Sequence, residues 1–212
     1  EFIRKFFLHS IRGAWYTFGR MRNGIQHSVN EAVRAALLLQ EEESIEFIER
    51  VAASVADCFS SGGKVLIAGN GGSLCDAMHF AEEFTGFYRE KRRPFPAMAL
   101  ADPSHMSCVA NDTSFEEVFL RMIEAFGKEG DIFIALTTSG NSKNLIRAAQ
   151  GARERGVKVI GFLGKTGGLL KDLCDDAWVV EGFSYSDRIQ EAHMAAMHII
   201  IEAVEKELLV LA

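Results

Sequence analysis

The sequence predicts an α/β fold, a three-layer sandwich in which helices cover both faces of a five-stranded parallel sheet. Five short, nearly continuous apolar runs are typical of strands buried on both faces, and helical patterns separate them. The chain of 212 residues, with 48% hydrophobic and 25% charged residues, is long enough for one sizeable core. The predicted strands are Lys64–Gly69, Pro96–Leu100, Asp131–Thr137, Val157–Leu163 and Ala177–Val180.

Two helices precede the first predicted strand. Apolar residues recur at three- and four-residue steps over Met21–Leu39, and a second stripe runs over about Ser44–Ser60. Such helices leave apolar surface to cover, so we expect residues 21–62 to form a helical hairpin used in oligomerisation. Residues 1–20 are basic and aromatic. They are either an added leader, which we favour because Met21 is a plausible start, or an extra helix.

Residues 63–212 are expected to form one domain that ends in a long helix. Alternating strands and helices in this part favour a parallel sheet, and ligands of such sheets bind at the carboxyl ends of the strands. The predicted helices are about Ser73–Phe84, Ser114–Phe126, Asn141–Arg155, Leu169–Leu173 and Ser186–Leu208.

Charge and composition narrow the classes of partner. The formal net charge of -6 gives no broad basic surface, so we expect no nucleic-acid partner. No apolar run approaches the roughly 20 residues of a membrane span, so no membrane partner is expected. The four cysteines are irregularly spaced, without a CxxC pair. We expect reduced, mostly buried thiols in a cytoplasmic protein.

Two predicted strand-to-helix loops are suited to phosphate. Gly69–Ser73 reads GNGGS, whose glycines let the backbone approach a ligand and whose Ser73 is expected to cap the next helix. Thr137–Ser142 reads TTSGNS, where hydroxyls and helix amides would hold a phosphate without a lysine. Neither loop matches the Walker or dinucleotide-binding pattern. Each alone is also explained as a tight turn or a helix cap.

Two pairs of polar residues lie on predicted helices. His79 and Glu83 stand four residues apart and share one face, which suits one ion, one substrate or an exposed ion pair. Gln190 and His198 lie about two turns apart on similar faces of the last helix. A histidine on an apolar helix is more often structural than functional. The spacing alone therefore leaves these alternatives open.

Three segments together resemble the signature regions of phosphoheptose isomerases, a family with the flavodoxin-like SIS (sugar isomerase) fold. They are Gly69–Gly86, Leu136–Ile146 and Ser186–Ile200, and the resemblance extends from Met21 to the C-terminus. It implies a cytoplasmic homotetramer with active sites at subunit interfaces. It also implies conversion of sedoheptulose 7-phosphate to D-glycero-D-manno-heptose 7-phosphate, for the ADP-heptose of the lipopolysaccharide inner core.

The resemblance also implies roles for individual residues. The carbon base would be Glu83 and its acid–base partner His198. One zinc ion per subunit would be bound by His79, Glu83, Gln190 and His198. A zinc-bound Glu83 is a poorer base, so its two roles conflict. The substrate would be bound by Asn70, Gly71, Gly72, Glu83, Asn111, Asp112, Thr137, Thr138, Ser139, Ser142 and Gln190, with Asn111 and Asp112 in the loop after the second strand.

Two other functions compete with this assignment. Some SIS proteins bind the bacterial replication initiator without catalysis, although a pure binding module would not require both Glu83 and His198. An isomerase acting on another phosphosugar, such as a hexosamine or pentulose phosphate, is the second alternative. Leu74 and Thr137 depart from common residues of the family, which leaves the fit of the substrate open.

Overall fold

A single parallel sheet forms the centre of the molecule. The computed structural model describes the backbone of residues 2–210 and the side chains of residues 20–209. The strands are β1 (Val65–Gly69), β2 (Ala97–Ala99), β3 (Ile132–Thr137), β4 (Lys158–Gly164) and β5 (Asp176–Val180). All pair in parallel, in the order β2-β1-β3-β4-β5. The predicted five-stranded parallel sheet is therefore confirmed.

Helices connect the strands and cover both faces of the sheet. They are α1 (Phe2–Leu37), α2 (Glu42–Ser60), α3 (Gly72–Thr85), α4 (Pro103–Asp112), α5 (Val118–Phe126), α6 (Lys143–Glu154) and α7 (Ser186–Val210). Three short 3-10 segments are Leu38–Gln40, Phe115–Glu117 and Gly168–Leu173. None of the helices that the structure describes is long and apolar enough to span a membrane.

The three-layer arrangement follows from strands that are apolar on both sides. Every residue of β1 and β3 is buried. Successive side chains of a strand point to opposite faces. Ile67 accordingly packs with the core formed by α2, α3 and α7, whereas Leu66 packs with the core formed by α5 and α6. This explains why the strands appear in the sequence as continuous apolar runs rather than as alternating patterns.

The first helix carries an apolar stripe that its own chain does not cover. α1 packs against α7, yet five large apolar residues spaced four apart are each at least half exposed. They are Met21, Ile25, Val29, Val33 and Leu37, at 58, 59, 50, 53 and 51% exposure. The backbone of α1 begins at Phe2, while the side chains of residues 1–19 lie outside the described residues. The prediction that residues 1–20 are a leader or an extra helix concerns almost only these residues, so it stays a prediction.

Several local predictions were wrong. Asn111 and Asp112 end helix α4 instead of lying in a loop. This helix escaped prediction because it has no buried residue and so no apolar stripe. Its start was nonetheless signalled, because Asp102 caps it by accepting the His105 amide at 2.6 Å and Pro103 occupies the first turn.

The cysteines are also less buried than expected. All four are free thiols, but only Cys58 is buried; Cys174 is partly buried, and Cys75 and Cys108 are exposed. Burial raises the pKa of Cys58 to about 11 and that of Cys174 to about 12, which keeps both thiols protonated.

Candidate active site

The two predicted loops meet at the point where the strand order reverses. β1 lies between β2 and β3, so the connections that follow β1 and β3 diverge to opposite sides of the sheet. In sheets of this order the ligand binds outside the carboxyl ends of the strands at that switch point. Gly69 at the end of β1 pairs with Leu136 near the end of β3. The loops that follow are therefore neighbours.

A pair of asparagine amides ties the loops together. The Asn70 amide nitrogen donates to Asn144 Oδ1 at 3.0 Å, and the Asn144 amide nitrogen donates back to Asn70 Oδ1 at 2.8 Å. Asn144 is only 4% exposed and also accepts the Leu145 amide. Sequence reasoning missed Asn144. A polar residue in the first turn of a helix that follows a phosphate-type loop was the available signal.

Small residues bring the first loop close to α7. Gly71 has a φ of 56° and precedes the first turn of α3. A side chain at Gly72 would meet the Gln190 amide at 2.8 Å. The expectation that Ser73 caps α3 is wrong. Ser73 is buried in the first turn of the helix, and its hydroxyl accepts a hydrogen bond from Gln190 Nε2 at 3.2 Å. The start of α3 is thus joined to the start of α7.

The second loop gathers four hydroxyls. Thr137 Oγ1 lies 3.2 Å from Ser142 Oγ and 3.5 Å from Ser139 Oγ, while Thr138 Oγ1 lies 3.0 Å from Ser186 Oγ. Ser142 is the N-cap residue of α6, but its hydroxyl makes no capping bond and contacts Thr137 instead. Gly140 turns the chain with a φ of 66°. The cluster suits a phosphate, since hydroxyls and helix amides are anion donors.

Three side chains converge where α3 and α7 meet. His79 Nε2 lies 3.2 Å from Glu83 Oε1 and 3.1 Å from His198 Nε2. Their ligand atoms all lie within 4.8 Å of one another. The Glu83 side chain is 18% exposed and that of His79 is 45% exposed. A carboxylate and two imidazoles that are open to solvent are suited to binding an ion or moving protons.

Burial perturbs two ionisable groups in and beside the triad. Desolvation lowers the pKa of His198, helped by the neighbouring His79 and opposed by Glu83. Asp76, which lies one turn before His79, has its pKa raised to about 6 by burial. Its Oδ2 atom is buried without a hydrogen-bond partner among the described residues. Sequence reasoning missed Asp76, whose neighbourhood becomes visible only once α3 is packed.

Comparison with known proteins agrees with this geometry. Residues 29–164 match the family model of the SIS domain. A phosphoheptose isomerase from Escherichia fergusonii is 50% identical over 185 residues, covering 87% of this chain and 96% of the relative. One from Fusobacterium nucleatum is 53% identical over 168 residues, covering 79% and 86%. This chain belongs to the phosphoheptose isomerase family.

The solved structure of a phosphoheptose isomerase from Neisseria gonorrhoeae has the same fold. It superposes with a TM-score of 0.81 at 32% identity and covers 88% of this chain and 99% of that chain. The phosphoheptose isomerase family therefore accounts for both the SIS fold and the three signature segments that carried the resemblance.

The triad offers what a zinc ion requires. Imidazole nitrogens and a carboxylate oxygen are common zinc ligands, with bonds of about 2.0–2.2 Å. Donor atoms 3.1 and 3.2 Å apart are close enough to share one such ion. Zinc in proteins usually takes four ligands, so these three would leave one position for a further ligand. The residues present therefore fit the metal.

Gln190 lies apart from this triad in the same chain. The Gln190 amide contacts Ser73 near the start of α3, whereas His198 contacts His79, which lies further toward the C-terminal end of α3. Eight residues of helix separate Gln190 from His198, a rise of about 12 Å.

The Asn111 and Asp112 side chains bond to each other at 2.8 Å, and Cys108 donates to Asp112 at 3.5 Å. The structure thus groups the predicted residues around separate centres.

His193, between Gln190 and His198, is a core residue. It is 1% exposed, and its Nε2 atom lies 2.8 Å from the Leu163 carbonyl oxygen, to which it donates. Burial lowers its pKa to about 4, so the ring is neutral at physiological pH. Two histidines five residues apart on one helix therefore have different environments.

Proposed function

We propose that this protein is an aldose–ketose isomerase that converts sedoheptulose 7-phosphate to D-glycero-D-manno-heptose 7-phosphate. The observation that carries the proposal is the convergence of Glu83 with His79 and His198, which lie 119 residues apart in the chain. A binding module has no need of this arrangement. The names of the family relatives support the substrate. We place the reaction in the cytoplasm, in the supply of heptose for the lipopolysaccharide core.

The loops at the switch point would bind and orient the substrate. Hydroxyls of Thr137, Thr138, Ser139 and Ser142 would hold the phosphate, together with amides at the start of α6. The backbone at Asn70, Gly71 and Gly72 would approach the sugar, where no side chain interferes. We further propose that Asn111 and Asp112 bind sugar hydroxyls. Binding energy from the phosphate would position the reacting carbons.

Glu83 and His198 would then move the protons. Starting from the ketose, Glu83 takes the proton from C1, which gives an enediol, and returns it to C2. His198 accepts the proton of the C1 hydroxyl and delivers one to the oxygen on C2, so that C1 becomes the carbonyl. His198 suits this exchange because its lowered pKa leaves the ring neutral at the start of the cycle.

The metal of this site would be zinc. His79, Glu83 and His198 would hold it, and Gln190 would add a fourth protein ligand. The two roles of Glu83 are compatible only if its carboxylate leaves the metal during turnover. When bound, Zn²⁺ would polarise the carbonyl and stabilise negative charge on the neighbouring oxygens. The donor set and its spacing support this assignment.

We propose a homotetramer with active sites at subunit interfaces. The uncovered apolar stripe of α1 supports assembly through residues 21–62, because a second copy would bury it. The position of Gln190 supports shared sites. Because Gln190 is about two turns from His198 in its own chain and contacts Ser73 there, we propose that one ion binds these two side chains from different subunits.

The substrate is tested with a panel of phosphosugars assayed with added zinc and with chelator. We expect turnover of sedoheptulose 7-phosphate to exceed that of hexosamine and pentulose phosphates, and chelator to abolish it. Preferred turnover of another phosphosugar would reject the substrate, and full activity in chelator would reject the metal. Binding of the replication initiator without turnover would reject the enzyme.

Shared sites are tested by mixing two impaired variants. Gln190→Ala subunits keep the triad, and His79→Ala subunits keep Gln190. Refolding them together would create sites that combine an intact triad with an intact Gln190. If equal amounts of the two subunits pair at random, about a quarter of the sites are complete, so we expect activity to recover toward about a quarter of wild type. No recovery above the sum of the separate variants would place all ligands in one subunit.

A further inference from the structure

A buried ion pair lies behind the triad. Arg92 Nε donates to Glu205 Oε1 at 2.7 Å, and their side chains are 1% and 5% exposed. Glu205 stands seven residues after His198, which places it on nearly the same face of α7, about two turns away. Buried charges are retained only when their hydrogen bonds are satisfied, so the partners of this pair show what it holds in place.

The arginine holds the end of the helix that carries Glu83. Arg92 Nη2 donates to the carbonyl oxygen of Glu83 at 2.9 Å, and Nη1 donates to that of Phe84 at 2.8 Å and that of Gly86 at 3.0 Å. These carbonyls at the C-terminal end of α3 have no partner within the helix. The planar guanidinium thus fixes the backbone of the proposed carbon base from within the core.

The glutamate holds the loop that follows α3. Glu205 accepts the backbone amide of Tyr88 at 3.2 Å and that of Arg89 at 3.4 Å. The Tyr88 ring then lies nearly parallel to the His198 ring, with centroids 5.6 Å apart and 14° between the planes. The His198 ring thus contacts two aromatic rings, that of Tyr88 and that of His79, which meets it edge-on with centroids 5.1 Å apart.

We propose that Tyr88 is a positioning residue of the reaction, which aims the His198 ring toward Glu83 and is itself fixed by the buried Arg92–Glu205 pair. This inference rests on the proposed function, because it presupposes roles for Glu83 and His198. Stacking restricts rotation of the imidazole, and the ion pair fixes the backbone at Glu83 and at Tyr88. A small displacement of a reacting group is enough to slow a reaction severalfold or more.

The central test removes the ring of Tyr88. Tyr88→Leu should lower kcat about tenfold, with KM for sedoheptulose 7-phosphate little changed, because the substrate contacts remain. Tyr88→Phe keeps the ring and should restore most of kcat. Phe126→Leu, which removes an aromatic side chain that is 49% exposed at the end of α5, is the matched control and should behave as wild type.

A second readout does not depend on turnover. The cobalt-substituted protein reports ligand geometry through its visible absorption bands. Tyr88→Leu should shift these bands and speed the loss of cobalt to a chelator, whereas Tyr88→Phe and Phe126→Leu should leave both unchanged. A melting temperature of Tyr88→Leu close to that of wild type would separate positioning from loss of the fold.

The link to the buried pair is tested by a double-mutant cycle. Glu205→Gln preserves the shape of the side chain but weakens its hydrogen bond with the Tyr88 amide. It should therefore lower kcat, as Tyr88→Leu does. If both residues act through His198, the double variant should lose less than the product of the two single losses. Strictly multiplicative losses would remove the link.

The outcomes separate this inference from the proposed function. Unchanged kcat and unchanged cobalt bands in Tyr88→Leu would overturn the positioning role while leaving the isomerase intact. Equal losses in Tyr88→Phe and Tyr88→Leu would also overturn it, since the ring would then not be responsible. A cobalt spectrum that responds to Tyr88→Leu in a protein without sedoheptulose 7-phosphate turnover would support positioning and reject the substrate.

Discussion

The loops at the switch point and the triad between α3 and α7 are built by different means. In the loop after β3, the hydroxyls of Thr137, Ser139 and Ser142 contact partners two to five residues away, as in the Thr137–Ser142 contact at 3.2 Å, and Thr138 alone reaches a distant residue, Ser186. In the triad, His79 and His198 meet across 119 residues. The loop is organised by its own turn, whereas the triad exists only when two helices pack in one register.

This difference indicates that the loops bind the substrate and that the triad carries out the chemical step. A loop set by local geometry provides a fixed anion site for the unreactive end of the substrate. Groups brought together by tertiary packing come to lie in environments that shift their pKa values, as burial does for His198 and Asp76. We therefore expect variants of the loops to act on binding and variants of the triad to act on chemistry.

Glu83→Gln should give the largest effect. Loss of the carbon base should lower kcat about a thousandfold or more while KM changes little. Glu82→Gln is the matched control, because Glu82 is exposed and faces about 100° away on α3. Steady-state kinetics of both variants make the comparison. If Glu83→Gln kept a tenth of wild-type kcat, or lost mainly affinity for the substrate, the claim that the triad acts on chemistry and the loops on binding would be wrong.

Gly140→Ala should show that the loop depends on its backbone. The residue has a φ of 66°, and a Cβ there would collide with the Gly167 backbone. We expect a loss of about 2–4 kcal/mol in the free energy of unfolding, measured by urea titration. Gly24→Ala, in α1 with no atom near the added Cβ, should instead stabilise the protein by about 0.5–1 kcal/mol. Equal effects of the two substitutions would contradict this account.

His193 offers a comparison within α7. Burial lowers its pKa from 6.5 to about 4, so below pH 6.5 the unfolded chain binds a proton that the native chain refuses. Stability should therefore fall as pH drops from 6.5 to 4, by about 3 kcal/mol from this residue alone. His193→Gln should remove that part of the pH dependence in urea titrations at fixed protein concentration. An unchanged slope in the variant would show that other groups cause it.

Local signals predicted the loops and the strands, but not what packing alone creates. The GNGGS and TTSGNS segments showed their chemistry without a structure, because the hydroxyls and glycines that matter are adjacent. The triad entered only through the family resemblance, since spacing within α3 cannot show that His198 lies opposite His79. The Arg92–Glu205 pair was invisible for the same reason. Helix α4 was missed because it lacks an apolar stripe.

Thr138→Val should give the smallest effect and define the limit of the loop's role. The substitution keeps the shape but removes a hydroxyl that lies 3.0 Å from Ser186 Oγ. A hydrogen bond to a charged group contributes about 1.5–3 kcal/mol, so we expect KM to rise roughly 10- to 150-fold with kcat nearly unchanged. Thr166→Val is the matched control, because Thr166 is exposed in the loop after β4 at the same edge of the sheet.

The ratio between the two threonine variants is the informative quantity. If the phosphate binds only at the β1/β3 switch point, the neighbouring loop after β4 contributes no donor, and Thr166→Val keeps the wild-type KM. If both variants raise KM equally, the phosphate site extends over the ends of β3 and β4 and is not confined to the switch point. A fall in kcat for Thr138→Val would mean that this hydroxyl acts on the chemical step, because phosphate binding would then be coupled to the geometry of the triad.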